Sequence, residues 1–438
     1  MKKRDRKFLK RLLETPSVTG SEATAAELVR ERLAPCADTI ETDVMGSVHA
    51  VLKGAGSAPS VMLAAHIDEI GLMVTYISTE GFLSFSAVGG VDAAILAGLR
   101  VTVHTASGPV RGVIGRMPIH LLDTDDRKSV VPIDKLVIDL GLPAKKVRSL
   151  VRIGDVATFG TGFERFGAHK AVSRGFDDKT GVWVAVRALE ELARGARPQG
   201  DFICAATVQE EIGTRGATTT AFRVNPAVGL AFDVTHATDY PGIDQSKHGK
   251  LVCGKGPVIS RGPNINPVVF ERLVAAAEAE GIPYQIEAEP GPTGTDARAI
   301  QIARSGIAAG LIGIPLRYMH TPSEVADLRD LEAAVALVVR FVRDLDENVS
   351  FVPGMEDAPC AGKKARGKKK AGRKKAKGTD VREAEACAPS DAGHANTAKA
   401  KPEAKAAAAA EAEPKHADAP HADDDASWLF GTAEPERA

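Results

Sequence analysis

Residues 204–216 read Cys204-Ala-Ala-Thr-Val-Gln-Glu-Glu-Ile-Gly-Thr-Arg-Gly216, an apolar run that ends at two adjacent carboxylates and a glycine-containing turn. Taken alone, a Glu-Glu pair after an apolar run is typical of a solvated strand end. The pair also suits a hydrolytic metal site, where one carboxylate binds a cation and its neighbour takes a proton from water. The metal site becomes the better interpretation because four other segments also end in metal-binding side chains.

The first of these segments is the apolar run from Val61 to Ala65, which is followed by His66 and Asp68. A continuous apolar run predicts a strand that is buried on both faces of a mostly parallel sheet. Side chains alternate along a strand, so His66 and Asp68 share a face and Asp68 can orient the imidazole. The alternative is an ordinary polar strand end.

The remaining segments carry Asp177, Asp178, Asp233 and His320. Asp177 and Asp178 lie in the turn before a helical pattern, where an N-cap aspartate accounts for one of them but not for both. Asp233 and His320 each follow a strand pattern, and a single His in such a place is more often a surface residue. In open α/β sheets, however, binding sites form beyond the carboxyl ends of strands. Five segments that end this way therefore indicate one common site.

Two histidines, two aspartates and one glutamate are a ligand mix that suits a pair of divalent cations. Zinc is the simplest choice, with cobalt or manganese as alternatives. A carboxylate shared between two cations would hold them about 3.5–4 Å apart, where they can clamp a nucleophile and a substrate carbonyl. The remaining glutamate is then free to act as the base.

The chain has 438 residues, of which 44% are hydrophobic, enough for two or three domains. Alternating strand and helix patterns predict an α/β domain with a mixed, mostly parallel sheet flanked by helices. Short, glycine-separated strand patterns predict a small β-rich domain inserted into it. We therefore expect two catalytic-domain segments at 1–72 and 166–352, the inserted domain at 73–165, and a tail at 353–438.

The six strand patterns of the inserted domain are Met73 to Ile77, Phe82 to Phe85, Leu99 to His104, Val110 to Ile114, Leu136 to Asp139 and Asp155 to Phe159. Near the N-terminus, Thr19 and Glu22 have the spacing of a capping box, which predicts a helix from Glu22 to Leu33.

Composition excludes several classes of protein. The net charge is −1, so no overall field attracts the chain to nucleic acid or membrane. No run of about 18 apolar residues is present to span a bilayer. None of the five cysteines forms a CxxC pair, which fits reduced thiols and a cytoplasmic location.

The tail from 353 to 438 is rich in Ala, Lys, Glu and Asp, and its low apolar content predicts disorder. Its basic run from Lys363 to Lys377 could bind nucleic acid through counterion release, although most such runs only increase solubility. We therefore expect no nucleic-acid partner except through this run.

Taken in order, the motifs resemble those of the tetrahedral (TET) metallo-aminopeptidases, a family of glutamyl, leucyl and lysyl aminopeptidases. The resemblance runs from about Leu9 to Asp346, and the charged tail lies outside the family pattern. The matching motifs are His66-Ile-Asp68, Gly175-Phe-Asp-Asp-Lys-Thr-Gly181, Val208-Gln-Glu-Glu-Ile-Gly213, Ala231-Phe-Asp233, Gly294-Thr-Asp-Ala297 and His320-Thr-Pro-Ser-Glu324.

The resemblance implies a role for each site residue. Glu210 would be the general base and acid, and Asp68 would support His66. The resemblance also allows a cis peptide bond between Asp177 and Asp178. It assigns His66, Asp177 and Asp233 to one cation, Asp177, Glu211 and His320 to the other, and Gly294, Thr295 and Asp296 to the substrate pocket.

The resemblance also implies a dizinc exopeptidase-like fold, a PDZ-like inserted domain for dimerisation, and twelve subunits in a hollow tetrahedron. We therefore expect a cytoplasmic two-metal aminopeptidase in which Glu210 activates a metal-bridged hydroxide against the N-terminal bond of peptides. One alternative is a dimetal deacylase or amidohydrolase acting on N-acyl amino acids. The other is a non-catalytic assembly protein that binds nucleic acid through the basic tail.

Overall fold

The computed structural model describes residues 1–123 and 128–355, so the basic run and nearly all of the predicted tail lie outside the described residues. The described chain forms a large mixed sheet flanked by helices and a smaller closed barrel. Its helices are α1 (Lys3–Glu14), α2 (Ala23–Leu33), α3 (Ala144–Leu150), α4 (Phe176–Leu192), α5 (Arg215–Val224), α6 (Gln245–His248), α7 (Pro267–Glu280), α8 (Asp296–Gln301) and α9 (Leu328–Arg343). Its strands are β1 (Thr39–Thr42), β2 (Val48–Leu52), β3 (Val61–His66), β4 (Gly71–Ile77), β5 (Leu83–Val88), β6 (Arg100–Thr105), β7 (Gly108–Gly115), β8 (Val137–Asp139), β9 (Val156–Phe159), β10 (Glu164–Phe166), β11 (Lys170–Ser173), β12 (Phe202–Thr207), β13 (Val228–His236), β14 (Val258–Arg261), β15 (Gln285–Ala288), β16 (Ala308–Arg317) and β17 (Glu324–Asp327).

The large sheet has the order β1-β2-β12-β3-β13-β16-β17-β11-β10, with β14 paired to β16 and β15 paired to β14. The four central strands β12, β3, β13 and β16 are parallel, whereas the strands at both flanks pair antiparallel. Every residue of β3 is buried. The continuous apolar run therefore lies at the centre of the parallel sheet, as its pattern predicted.

The register of the central strands places several chain segments at one edge of the sheet. Ala64 of β3 pairs with Ala231 of β13 in parallel register. His66 and Asp233 each lie two residues further along, so they sit at the same level and on the same face. β12 ends opposite His66, at Thr207, and the Glu-Glu pair follows it.

Helix α4 packs against β3 and β13 and begins with the two predicted aspartates. Its N-cap Gly175 has φ 68°, a left-handed conformation that suits glycine. Asp177 and Asp178 have non-helical backbone angles, and the peptide bond between them is cis. The Asp178 carboxylate accepts a hydrogen bond from the Gly181 N–H at 2.9 Å, which is the contact of a capping aspartate where the regular part of the helix begins. Asp178 is therefore the aspartate that capping accounts for, and Asp177 is not.

The barrel closes through β4, β5, β8, β7, β6 and β9 in that order. All six strands coincide with predicted strand patterns, which confirms the separate β-rich module. Its apolar core, which includes Leu72, Phe85 and Ile138, is distinct from the core of the large sheet. The exact domain boundaries at 73 and 165 stay a prediction.

The capping-box prediction for α2 is wrong. The helix begins at Ala23, and Glu22 makes no side-chain cap. The Glu22 carboxylate instead accepts from the Gly20 N–H at 2.7 Å, and the Thr19 hydroxyl donates to Asp68 at 2.9 Å. Thr19 thus satisfies a buried carboxylate rather than a helix terminus.

None of the helices within residues 1–123 and 128–355 has the length and apolar character needed to cross a membrane.

Candidate metal centre

The predicted metal ligands meet around one pocket of about 460 Å³ at the carboxyl edge of the central strands. They come from five separate places in the chain: the end of β3, the start of α4, the turn after β12, the middle of β13 and the loop between β16 and β17. The pocket is lined by all five predicted ligands, namely His66, Asp177, Glu211, Asp233 and His320, and also by Glu210.

Asp177 lies between the two histidines. Its Oδ1 is 3.0 Å from His66 Nε2, and its Oδ2 is 3.1 Å from His320 Nε2. The two oxygens therefore face different imidazoles, which is the arrangement that a carboxylate bridging two cations requires.

Asp233 and Glu211 complete the two sides of this arrangement. Asp233 Oδ1 lies 3.8 Å from His66 Nε2, and Glu211 Oε2 lies 3.5 Å from His320 Nε2. Within the described residues, His66, Asp177 and Glu211 offer ligand atoms within 4.8 Å of one another, and so do His66, Asp178 and Asp233. Asp178 was not among the predicted ligands.

Each histidine is oriented through its Nδ1 atom. His66 Nδ1 lies 3.1 Å from the backbone oxygen of Asp68 and 3.6 Å from the Asp68 carboxylate, so the carbonyl is its nearer partner. His320 Nδ1 lies 3.0 Å from the backbone oxygen of Gly90. Both contacts leave Nε2 directed toward Asp177, as expected for a metal-binding imidazole that is held by a second group.

The carboxylates outnumber the cationic groups in this pocket. Burial raises the pKa of Glu210 to about 9 and that of Glu211 to about 8, and neighbouring carboxylates add to both shifts. The hydrogen bond to Asp177 raises the pKa of His320 to about 9. Such crowding of negative charge is unfavourable unless a cation compensates it.

Two buried oxygens of the cluster have no hydrogen-bond partner among the described residues: Asp178 Oδ2 and Glu211 Oε1. Unpartnered buried polar atoms are rare and are often explained by an ion or water that binds there. Together with a donor set of imidazole nitrogens and carboxylate oxygens, they fit a divalent cation.

Two residues that touch His320 had no role assigned from the sequence. Gly90 comes from the loop after β5, and a Cβ atom at this position would lie only 2.8 Å from His320 Nδ1. Its only sequence signal is the Gly89-Gly90 pair. Glu324, in the quoted His-Thr-Pro-Ser-Glu motif, is buried and accepts the His320 N–H at 3.1 Å.

The three predicted substrate residues divide into two groups. Gly294 and Thr295 line the pocket. Asp296 is buried behind it, where it accepts a hydrogen bond from the Thr207 hydroxyl at 2.7 Å.

Fold and site together define the class of the protein: an α/β protein whose clustered His, Asp and Glu side chains form a divalent-metal site at the carboxyl ends of parallel strands. A family model described as M42 glutamyl aminopeptidase matches residues 46–337. The chain belongs to this family, and it is a metallo-aminopeptidase. The family match does not favour the deacylase or the non-catalytic alternative.

Individual relatives are similar to this chain over almost their whole length. The lysyl aminopeptidase of Pyrococcus furiosus is 36% identical over 355 residues, covering 80% of this chain and 99% of the relative. The structure of a TET aminopeptidase from a marine sediment archaeon of the Thaumarchaeota is 34% identical, with a TM-score of 0.74 over 78% of this chain and 97% of that one. The TET1 peptidase of Pyrococcus horikoshii, described as able to assemble into a tetrahedron or a large octahedral shell, is 32% identical, with a TM-score of 0.69 over 78% of this chain and 100% of that one.

Proposed function

We propose that this metallo-aminopeptidase holds two divalent cations and removes N-terminal residues from peptides. The observation that carries the proposal is the position of Asp177, whose two oxygens face His66 and His320 separately. In this proposal Asp177 is shared. One cation would be held by His66, Asp177 and Asp233, with the unpartnered Asp178 oxygen nearby, and the other would be held by Asp177, Glu211 and His320.

The cations, zinc or alternatively cobalt or manganese, would supply Lewis acidity and lower the pKa of water in the pocket. Glu210 lines the pocket next to the ligand Glu211. We assign it to accept a proton from the attacking water and to deliver it to the departing amine. The positive charge of bound cations would oppose the effect of burial, which by itself raises the pKa of Glu210 to about 9.

Substrate binding and assembly extend the proposal. Gly294 and Thr295 form part of the pocket wall, and Asp296 supports that wall from behind through Thr207. A TET1 peptidase structure that is 33% identical to this chain is described as a dodecamer. By analogy with it, and as the TET resemblance implies, the chain would form dimers through its PDZ-like barrel, at about residues 73–165, and assemble further into a dodecamer. We also propose a cytoplasmic location, with peptides as the substrates.

The test uses the full-length protein loaded separately with zinc, cobalt and manganese. We expect two bound cations per chain by elemental analysis and hydrolysis of leucyl p-nitroanilide. The N-acetylated form of the same substrate should not be hydrolysed. Preferred hydrolysis of the N-acetylated substrate would replace the aminopeptidase with the deacylase, and a ratio of one cation per chain would contradict the bridging role of Asp177.

A further inference from the structure

Two glutamates that the proposed chemistry does not use form one wall of the same pocket. Glu287 lies on β15 and Glu289 two residues after it, so their side chains are on the same face of the chain. Both line the pocket that contains the metal ligands. The substrate space beside the metal centre is therefore bounded by an acidic surface.

The distance of this surface from the metal centre is set by β13. Thr235 follows the predicted ligand Asp233 by two residues, so both point to the same face about 7 Å apart along the strand. The Thr235 hydroxyl lies 2.9 Å from each oxygen of the Glu287 carboxylate and donates to it. The distance from the metal ligands to the Glu287 carboxylate is therefore about the length of an extended lysine or arginine side chain.

Among the residues that the structure describes, no lysine or arginine forms an ion pair with either carboxylate. Within residues 1–123 and 128–355, neither Glu287 nor Glu289 has a lysine or arginine among the groups that shift its pKa. Burial raises the pKa of both, and Glu289 adds to the shift at Glu287. A half-buried pair of like charges is unfavourable by itself and becomes favourable when a cation binds between them.

Besides the metal ligands and Glu210, two charged or titratable groups of the described chain line the pocket with the pair, namely His236 and the exposed Arg298. Burial raises the pKa of Glu289, and the nearby His236 lowers it by a smaller amount. Arg298 would favour an acidic ligand. Met319 contributes apolar surface to the same space.

We propose that Glu287 and Glu289 form the subsite for the side chain of the substrate's first residue and select lysine or arginine there. This inference rests on the proposed two-metal aminopeptidase. With the scissile bond at the metal centre, the aliphatic stem of the first residue lies along Met319, and its terminal cation reaches the two carboxylates. Lysine and arginine combine such a stem with a charge at its end.

The test compares kcat/KM of the metal-loaded enzyme on lysyl, arginyl, leucyl and glutamyl p-nitroanilides. We expect the wild-type enzyme to prefer the two basic substrates. In Glu287→Gln, Glu289→Gln and the double variant, the ratio of kcat/KM for lysyl over leucyl substrate should fall about tenfold to a hundredfold, because a charge-assisted hydrogen bond is lost. The exposed Glu271→Gln on α7 is the matched control, with an unchanged ratio.

A second measurement does not depend on the folding of any variant. On the wild-type enzyme, free L-lysine should inhibit more strongly than L-norleucine, which has a similar stem without the charge. The difference should shrink as salt concentration rises, since the recognition is ionic.

The outcomes separate this inference from the proposed function. No hydrolysis of any unblocked substrate would contradict the aminopeptidase mechanism itself. Hydrolysis with an equal loss on all four substrates in the glutamine variants would show that the pair binds the α-ammonium group and would overturn the subsite. A preference for the glutamyl substrate that Arg298→Gln abolishes would overturn it as well, in favour of Arg298.

Discussion

The carboxylate of Asp68 accepts a hydrogen bond from the backbone N–H of Glu210 at 3.0 Å. Its second oxygen accepts from the Glu211 N–H at 3.2 Å and from the Thr19 hydroxyl at 2.9 Å. Asp68 is fully buried. Its carboxylate therefore fixes the turn that presents the proposed base and its neighbouring ligand, in addition to lying beside His66.

Replacing Asp68 should lower the activity of the enzyme, although Asp68 is not one of the proposed metal ligands. In Asp68→Asn, an amide donor faces a backbone N–H donor, and one of the two glutamates loses its support. We expect kcat/KM to fall about tenfold to a hundredfold, the usual cost of removing a group that orients a metal site. Steady-state kinetics with saturating metal measure this loss, and the exposed Asp134→Asn serves as the control. Wild-type kinetics in Asp68→Asn would remove this positioning role.

The adjacent glutamates should respond differently to the same substitution. Glu210→Gln should bind both cations but lose about 10²–10⁴-fold in kcat, because the general base is absent. Glu211→Gln should lose one cation, because a neutral amide is a poor ligand in place of a carboxylate. Elemental analysis and kinetics on both variants give the comparison. Normal turnover in Glu210→Gln would reject its assignment as the base.

The contact between the barrel and His320 can be tested at Gly90. Alanine there would bring a Cβ atom to 2.8 Å from His320 Nδ1 and displace the imidazole. We expect cation affinity to weaken about tenfold to a hundredfold, measured by competition with a chelator. Gly291→Ala is the matched control, because a Cβ atom at that position meets nothing within 4 Å. Equal affinities in the two variants would contradict the contact.

Glu324 should matter for stability as well as for metal binding. Its carboxylate accepts backbone N–H groups from Phe176 at 2.8 Å and from His320 at 3.1 Å, so it joins the start of α4 to the His320 loop. In Glu324→Gln, one amide donor faces a backbone donor, which should cost about 1–3 kcal/mol of unfolding free energy. Denaturant unfolding of the metal-free protein measures this cost. An unchanged midpoint would show that the two segments are held together by other contacts.

Removing the cations should destabilise the folded chain. Chelation leaves the carboxylates around Asp177 uncompensated, and saturation at a thousandfold excess over Kd should contribute about 4 kcal/mol. We expect chelator to lower Tm and added zinc to restore it. Asp233→Asn, which lacks one ligand, should show a smaller difference between the two conditions. Identical Tm values for the wild type with and without chelator would argue against a bound cation in the native state.

The barrel strands and helix α5 show what local sequence can predict. The six barrel strands were predicted because glycines separate short runs that carry a strand pattern, and that signal is local. Helix α5 was missed because its Arg215 to Val224 segment contains three threonines, which have low helix propensity. Its helical form depends on packing against the preceding strand β12 and against α8, which lies far away in the chain.

The sequence by itself determined which residue types follow the buried apolar runs, although Asp233 lies within β13 because that strand continues to His236. Burial of a continuous apolar run leaves polar side chains such as His66 and Asp233 only beyond it, and this constraint is visible in the order of residues. The tertiary structure alone decided that Gly90 touches His320, 230 positions away, and that Asp177 faces two histidines with different oxygens. Such contacts depend on how whole elements pack against one another, and the approach of two distant segments leaves no periodic pattern in either of them.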